Sequence, residues 1–157
     1  MTRRQATPRP AVQRVHATAV ALRIGRRWRA VLLRGPSGAG KSDLALRLID
    51  DGARLVADDQ TELGRRLAQV VARCPPTIAG LLEVRGLGII ALSPSQRLAE
   101  APLSLLVDLV DPRQVERMPE PAHEDLLGCR LPVLALAPFE ASAPQKLRLA
   151  LRRVGDP

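Results

Sequence analysis

Residues 34–60 read RGPSGAGKSDLALRLIDDGARLVADDQ. Within them Gly35, Pro36, Ser37, Gly38, Ala39, Gly40, Lys41 and Ser42 fit the pattern G-x-x-x-x-G-K-[ST], directly after the apolar run AVLLRG. A buried strand, a glycine-rich loop and a helix are the setting this motif requires, and they place the chain among α/β proteins. Glycines let backbone N–H groups wrap a triphosphate. Lys41 supplies a cation to the outer phosphates, and Ser42 offers its hydroxyl to Mg²⁺. The helix that follows, with Leu44, Leu46 and Leu48, points its N-terminal dipole at the same anion.

The second half of the stretch returns to the loop. A helix over 41–50 climbs on the order of 15 Å from the phosphates, Gly52 ends it, and a strand over 53–57 runs back roughly 16 Å. Asp58 and Asp59 are thereby expected at phosphate level. Ligands of parallel α/β sheets lie outside the carboxyl ends of the strands, so the pair is expected to flank the nucleotide. A solvated aspartate pair in a turn is the other reading.

Composition bounds the partners. The chain has 157 residues and a formal charge of +8, and 22 of its 24 basic residues are arginines. That length corresponds to one domain with room for a core. The arginines are scattered, and only Trp28 and Phe139 are available to stack on a base, so nucleic acid is not the expected partner. A basic face for an acidic protein stays open. Cys74 and Cys129 lack metal-ligand spacing, which points to reduced thiols and a cytoplasmic location. No apolar run reaches the length of a membrane span, and Arg3-Arg4 is followed by prolines in place of an apolar signal core. Residues 1–13 are expected to be a flexible tail before a single domain over 14–157.

Along that domain, 16–24 and 29–35 form a hairpin around Gly25, 60–76 is polar and ambiguous, and 103–110 and 131–138 are strands. Residues 143–154 have helical periodicity, with Leu147, Leu151 and Val154 on one side. In LLEVRGLGII (81–90), read as one extended segment, Glu83 and Arg85 share a side. They are either a catalytic carboxylate with an arginine or a surface ion pair. Asp108, at the end of LSLLVD, has the form of a Walker B strand, and pattern alone does not rank it against Asp58 and Asp59. His16 is open between structural and catalytic roles, and His123 reads as surface.

His16 before a hairpin, then GPSGAGKS, GARLVADDQ and LLEVRGLGII in that order, resembles the catalytic domain of the HPr kinase/phosphorylase family. These bacterial enzymes phosphorylate a serine of the phosphocarrier protein HPr. The resemblance covers roughly residues 14–150 and implies a P-loop kinase-like sheet with flanking helices and a hairpin before the loop. It further implies ATP and Mg²⁺, an HPr-like partner and a homo-oligomer, usually a hexamer. By motif, Lys41 and Ser42 would contact phosphates and Mg²⁺, Asp59 would accept the serine proton, and Glu83 would be a magnesium ligand. His16 would be an active-site neighbour, Asp58 a further metal carboxylate, and Arg117, in VERMPEP, would match a family arginine. With about 15 residues before His16, the sequence is similar to the short, alphaproteobacterial form. The basic Pro-Gly-Arg segment that the family associates with dephosphorylation has no counterpart in LPVLALAPFEASA. The expected activity is therefore mainly that of a kinase, with weak phosphorylase activity at most. A small-molecule P-loop kinase and a non-catalytic nucleotide-sensing subunit are the other readings; a GTPase is not, because the N-K-x-D guanine reader needs an asparagine and the chain has none.

Overall fold

The run WRAVLL at 28–33 carries no polar–apolar alternation from Ala30 onward, as expected of a strand covered on both faces. In a computed structural model, which describes residues 11–155, it forms the centre of strand β3 (Arg27–Arg34), with Ala30, Val31, Leu32 and Leu33 all buried. Val31 and Leu33 face one cluster and Ala30 and Leu32 the other, following the two-residue period of a strand.

The chain order begins β1 (Val12–Val15), β2 (Thr18–Ile24), β3, α1 (Lys41–Asp50), β4 (Arg54–Ala57), β5 (Thr61–Arg66) and β6 (Gln69–Arg73). It continues β7 (Leu81–Val84), β8 (Gly88–Ala91), β9 (Glu100–Leu109), β10 (Ala122–Leu126), β11 (Cys129–Leu136) and α2 (Ala143–Arg153). Among the described residues the main sheet has nine strands in the order β1-β5-β6-β9-β3-β2-β4, with β11 joined to β9 and β10 to β11. It branches at the ten-residue β9, which pairs antiparallel with β6 through Glu100–Pro102 and parallel with β11 through Leu106–Leu109. The strands β7 and β8 form a separate hairpin.

The sheet is mixed, where the sequence suggested a parallel one. β4 pairs antiparallel with β2, and β2 antiparallel with β3. Across β2, then, β4 runs in the same direction as β3, and its carboxyl end lies at the same edge of the sheet as the glycine-rich loop. The expected helix over 41–50 is α1. Gly52, with φ 97, closes it in a Schellman arrangement: Gly52 N–H donates to Ile49 and Ala53 N–H to Leu48. Leu44 and Leu48 of α1 and Leu147 and Leu151 of α2 are fully buried against Val31, Leu33, Leu105 and Val107, each such leucine contributing about 1.5–3 kcal/mol.

Three boundaries differ from the sequence reading. Residues 1–10 of the expected tail lie outside the described residues, but Val12 and Gln13 pair with Gly64 and Leu63 in β1 and β5. The ambiguous 60–76 segment holds the hairpin β5–β6, where the solvent-facing Arg65 and Arg66 dilute the apolar signal of the buried positions. LLEVRGLGII is two strands: Arg85 to Leu87 form the turn, with Gly86 and Gly88 at positive φ, so Arg85 does not share a strand face with Glu83.

At the carboxyl edge, Arg34 of β3 donates two hydrogen bonds to its register partner Asp108, at 2.7 and 3.1 Å, and a third to Glu124 of β10 at 2.9 Å. The Arg34 guanidinium holds the Glu124 carboxyl below its ordinary value of 4.5. A carboxyl whose pKa is lowered by folding stabilises the fold fully above its unfolded-state value and loses that contribution as pH falls through the lower folded-state value. Glu124→Gln should therefore unfold at a lower temperature than wild type at neutral pH, with the gap closing below about pH 4.5. Thermal melts across pH check this, and a gap that does not narrow as the pH falls below about 4.5 would contradict it.

Candidate active site

The glycine-rich loop leaves β3 and enters α1 with no side chain capping the helix: Gly40, at φ 99, stands at the N-cap. Its free N–H groups face a cleft of about 440 Å³ lined by Ser37, Gly38, Lys41, Ser42, Asp59, Glu83, Arg85 and Phe139, among others. Helix N-terminal N–H groups and a lysine are an anion site. Lys41 is buried, and its Nζ donates to the carbonyls of Gly35 and Pro36 at 2.6 and 3.0 Å, so the ammonium is held over the loop.

The two aspartates after β4 face opposite ways. Asp58 is 6 % exposed, and its Oδ1 accepts from Ser42 Oγ at 2.8 Å and Thr18 Oγ1 at 2.9 Å while Oδ2 accepts from the Glu83 N–H at 3.0 Å. Burying a carboxylate costs several kcal/mol unless donors surround it, and β2, α1 and β7 each supply one. Asp59 adopts φ 64, the left-handed region that non-glycine residues seldom occupy, and its N–H donates to Thr18 Oγ1 at 3.2 Å. This turn swings the Asp59 carboxylate out into the cleft, where Oδ1 meets His16 Nε2. A carboxylate only accepts, so the bonded nitrogen carries the proton. His16 sits between β1 and β2, the expected hairpin region, and is exposed.

Glu83 reaches the same cleft because β7 alternates: Leu82 packs into the core beside α1, and Glu83 points outward. Arg85 lines the cleft from the turn that follows. Asp108, the competing Walker B candidate, is clamped by Arg34 and does not line the cleft. Arg117 is exposed in the segment before β10 and is not among the described residues lining the cleft. Among the described residues no three His, Cys, Asp or Glu side chains converge as a metal cage. The donor set instead suits a cation that keeps waters and takes one or two protein oxygens together with phosphate, as Mg²⁺ does: the Ser42 hydroxyl, oriented by Asp58, and the outward Glu83 carboxylate. Sequence reasoning missed Thr18, which bonds both aspartates; no motif marks a threonine on a strand 40 residues away. It also gave Phe139 no place in the site.

A family model described as the HPr serine kinase C-terminal domain matches residues 13–137. The chain belongs to this family. It is 44 % identical over 108 residues to an HPr kinase/phosphorylase of Leptothrix cholodnii, an alignment covering 62 % of the chain and 33 % of the relative. It is 41 % identical over 107 residues to one of Bordetella pertussis, covering 62 % and 35 %. The chain spans about a third of the length of these curated relatives. Among solved structures, the HPr(Ser) kinase/phosphatase of Coxiella burnetii superposes with a TM-score of 0.75 at 26 % identity, covering 89 % of this chain and 88 % of that one. The P-loop kinase-like α/β fold expected from the motifs is the fold of this family. Among the described residues no helix is long and apolar enough to cross a membrane.

The left-handed turn at Asp59 yields a stability test separate from activity. Glycine adopts φ > 0 without steric cost, whereas a β-branched residue does not. Asp59→Gly should stay within about 1 kcal/mol of wild type, and Asp59→Val should lose about 1–3 kcal/mol, measured by denaturant unfolding. Equal losses would show that the contact with His16, and not the backbone, sets stability at this position.

Proposed function

We propose that this chain acts as an ATP-dependent protein serine kinase whose substrate is an HPr-like phosphocarrier. The observation that carries the reading is the division of labour between adjacent aspartates: Asp58 is buried and bonded to the P-loop serine, and Asp59 is turned into the cleft beside His16. A phosphate-binding loop alone fits many functions. A carboxylate free to accept a proton, facing that loop across an open cleft, fits transfer to a hydroxyl brought from outside.

In this reading the loop amides and Lys41 hold the β- and γ-phosphates of ATP. Mg²⁺, when bound through Ser42 and Glu83 with Asp58 orienting Ser42, neutralises charge on the phosphates. Asp59 accepts the proton of the substrate serine, the serine oxygen bonds to the γ-phosphorus, and the bond to the β–γ bridging oxygen breaks to leave ADP. His16 orients the Asp59 carboxylate. The transition state is loose, so positioning and charge supply most of the acceleration. A homo-oligomer belongs to the proposal by resemblance. Arg117, outside the chain's own cleft, would act only if assembly or closure carries it to the site.

Direction is part of the proposal. Dephosphorylation brings inorganic phosphate beside phosphoserine, and two anions need cations between them. The segment over 131–143, where the resemblance would place basic residues, holds no arginine or lysine; it reaches the cleft with Phe139 and carries Glu140, which is paired with Lys146 at 2.5 Å. The forward reaction should dominate.

Incubation with ATP, Mg²⁺ and the HPr-like carrier of the same genome, read by intact mass, should add one phosphoryl group to a serine. Lys41→Ala should abolish transfer without unfolding the chain. Asp59→Asn should lose most transfer but still bind ATP, and Asp108→Asn should keep substantial activity; the opposite pattern would move the chemistry to β9. ATP consumption with a metabolite pool and none with carriers would replace the substrate class.

Preformed phosphoserine carrier with Mg²⁺ and millimolar phosphate should release pyrophosphate far more slowly than the forward reaction runs. Comparable rates would show that Arg85 or another cation offsets the repulsion.

A further inference from the structure

Phe139 is the chain's one phenylalanine and is 69 % exposed. Single exposed apolar side chains are ordinary, so its placement carries the argument. Two of its ring carbons lie 2.9 and 3.1 Å from where a Cβ on Gly40 would stand. The ring thus rests on the backbone of the phosphate loop, one residue before Lys41, and the lack of a side chain at Gly40 is what admits it. It lines the same cleft as Ser37, Lys41 and Ser42, and Leu46, partly exposed one turn into α1, lines that cleft too.

The ring is held in place. Arg47 of α1 donates to the carbonyl of Pro138, the residue before Phe139, and is itself fixed by Asp43 one turn back at 3.0 Å. Glu140 on the other side is paired with Lys146 of α2. An exposed aromatic ring that lines the cleft and is tied at both flanks is a preorganised platform.

Topology says what it supports. The loop bearing Phe139 follows β11, which runs parallel to β9 as β9 does to β3, so it lies at the carboxyl edge on which the glycine-rich loop stands. In open sheets of this kind nucleotides lie along that edge. With the phosphates on the loop amides, Gly40, Asp43 and Phe139 are groups of the same cleft beside which the nucleoside can lie. The chain has no asparagine, no glutamine among the described residues lines the cleft, and the Asp43 carboxylate is engaged by Arg47. Among the described residues no side-chain amide stands where it would read the edge of a base.

We infer that Phe139 is the stacking platform for the nucleobase, positioned by Arg47, and that it selects a purine by its face and not by its hydrogen-bonding edge. The inference rests on the nucleotide reading of the cleft. It makes adenine and guanine nucleotides similar ligands and assigns binding energy to a residue outside the P-loop motif.

Isothermal titration of the full chain with ATP, GTP and tripolyphosphate, each with Mg²⁺, tests it. Wild type should bind ATP and GTP within about ten-fold of each other. Because stacking on an aromatic side chain is worth ~1–3 kcal/mol per base, Phe139→Ala should weaken both nucleotides by about ten-fold and leave tripolyphosphate within about two-fold. Phe139→Trp should bind ATP within about three-fold of wild type, which also shows that the loop tolerates substitution. Unchanged ATP affinity in Phe139→Ala overturns the inference, and a raised KM for the carrier in that variant would reassign the ring to protein docking. An equal loss of tripolyphosphate overturns it too, since the ring would then only shape the loop. A wild-type chain that binds neither ATP nor tripolyphosphate overturns the kinase reading as well.

Discussion

The carboxylate of Asp58 is the point on which the site is assembled. It is buried at the end of β4, where an unpaired charge would cost several kcal/mol, and its three donors come from three other elements: Thr18 of β2, Ser42 of α1 and the N–H of Glu83 in β7. Removing one donor from such a buried carboxylate typically costs about 1.5–3 kcal/mol, because the charge keeps its burial and loses a bond. The requirement to satisfy this group therefore fixes the phosphate loop, the β7–β8 hairpin and the aspartate turn in one mutual geometry. Thr18 carries the coupling one residue further, since the same hydroxyl accepts the N–H of Asp59. The outward turn of Asp59 is thus defined by the inward anchoring of Asp58.

Much of this was legible because it is local. The P-loop pattern, the helix over 41–50 and the glycine that ends it need only neighbours in sequence, and the rise per residue of helix and strand was enough to bring Asp58 and Asp59 back to the loop. The assumption of a parallel sheet was wrong in detail and harmless in effect, because two antiparallel steps through β2 restore the direction of β4. What stayed hidden depends on distant partners. Spacing did not separate Asp108 from Asp58; in the structure Arg34 stands opposite Asp108 in the sheet register, and Thr18 and Ser42 stand beside Asp58. The β5–β6 hairpin was obscured for a related reason, with Arg65 and Arg66 at the strand end facing solvent and diluting the apolar signal of Leu63, Val70 and Ala72.

The family match ends at residue 137, yet the fold does not. α2 lies beyond it and still places Leu147 and Leu151 in the cluster that receives Leu44 and Leu48, so the core beneath the phosphate loop is completed by a helix outside the matched stretch. Between them runs the short segment from Pro138 to Ser142, pinned by Arg47 and Lys146. A chain can keep a family's core and change its chemistry at the exposed positions of such a segment, here Phe139, Ala141 and Ser142.

The placement of Lys41 also bears on how the protein can be chemically labelled. The sequence holds two lysines. Lys146 has an exposed side chain, whereas the Lys41 amine is buried and shared between two carbonyls. Amine-acylating reagents act on accessible, unprotonated nitrogen, so the side-chain amines present two very different reactivities in one molecule. Of the two lysines, a dye or crosslinker carried by an activated ester would enter at Lys146 on α2 and spare Lys41 in the phosphate loop, with no residue replaced.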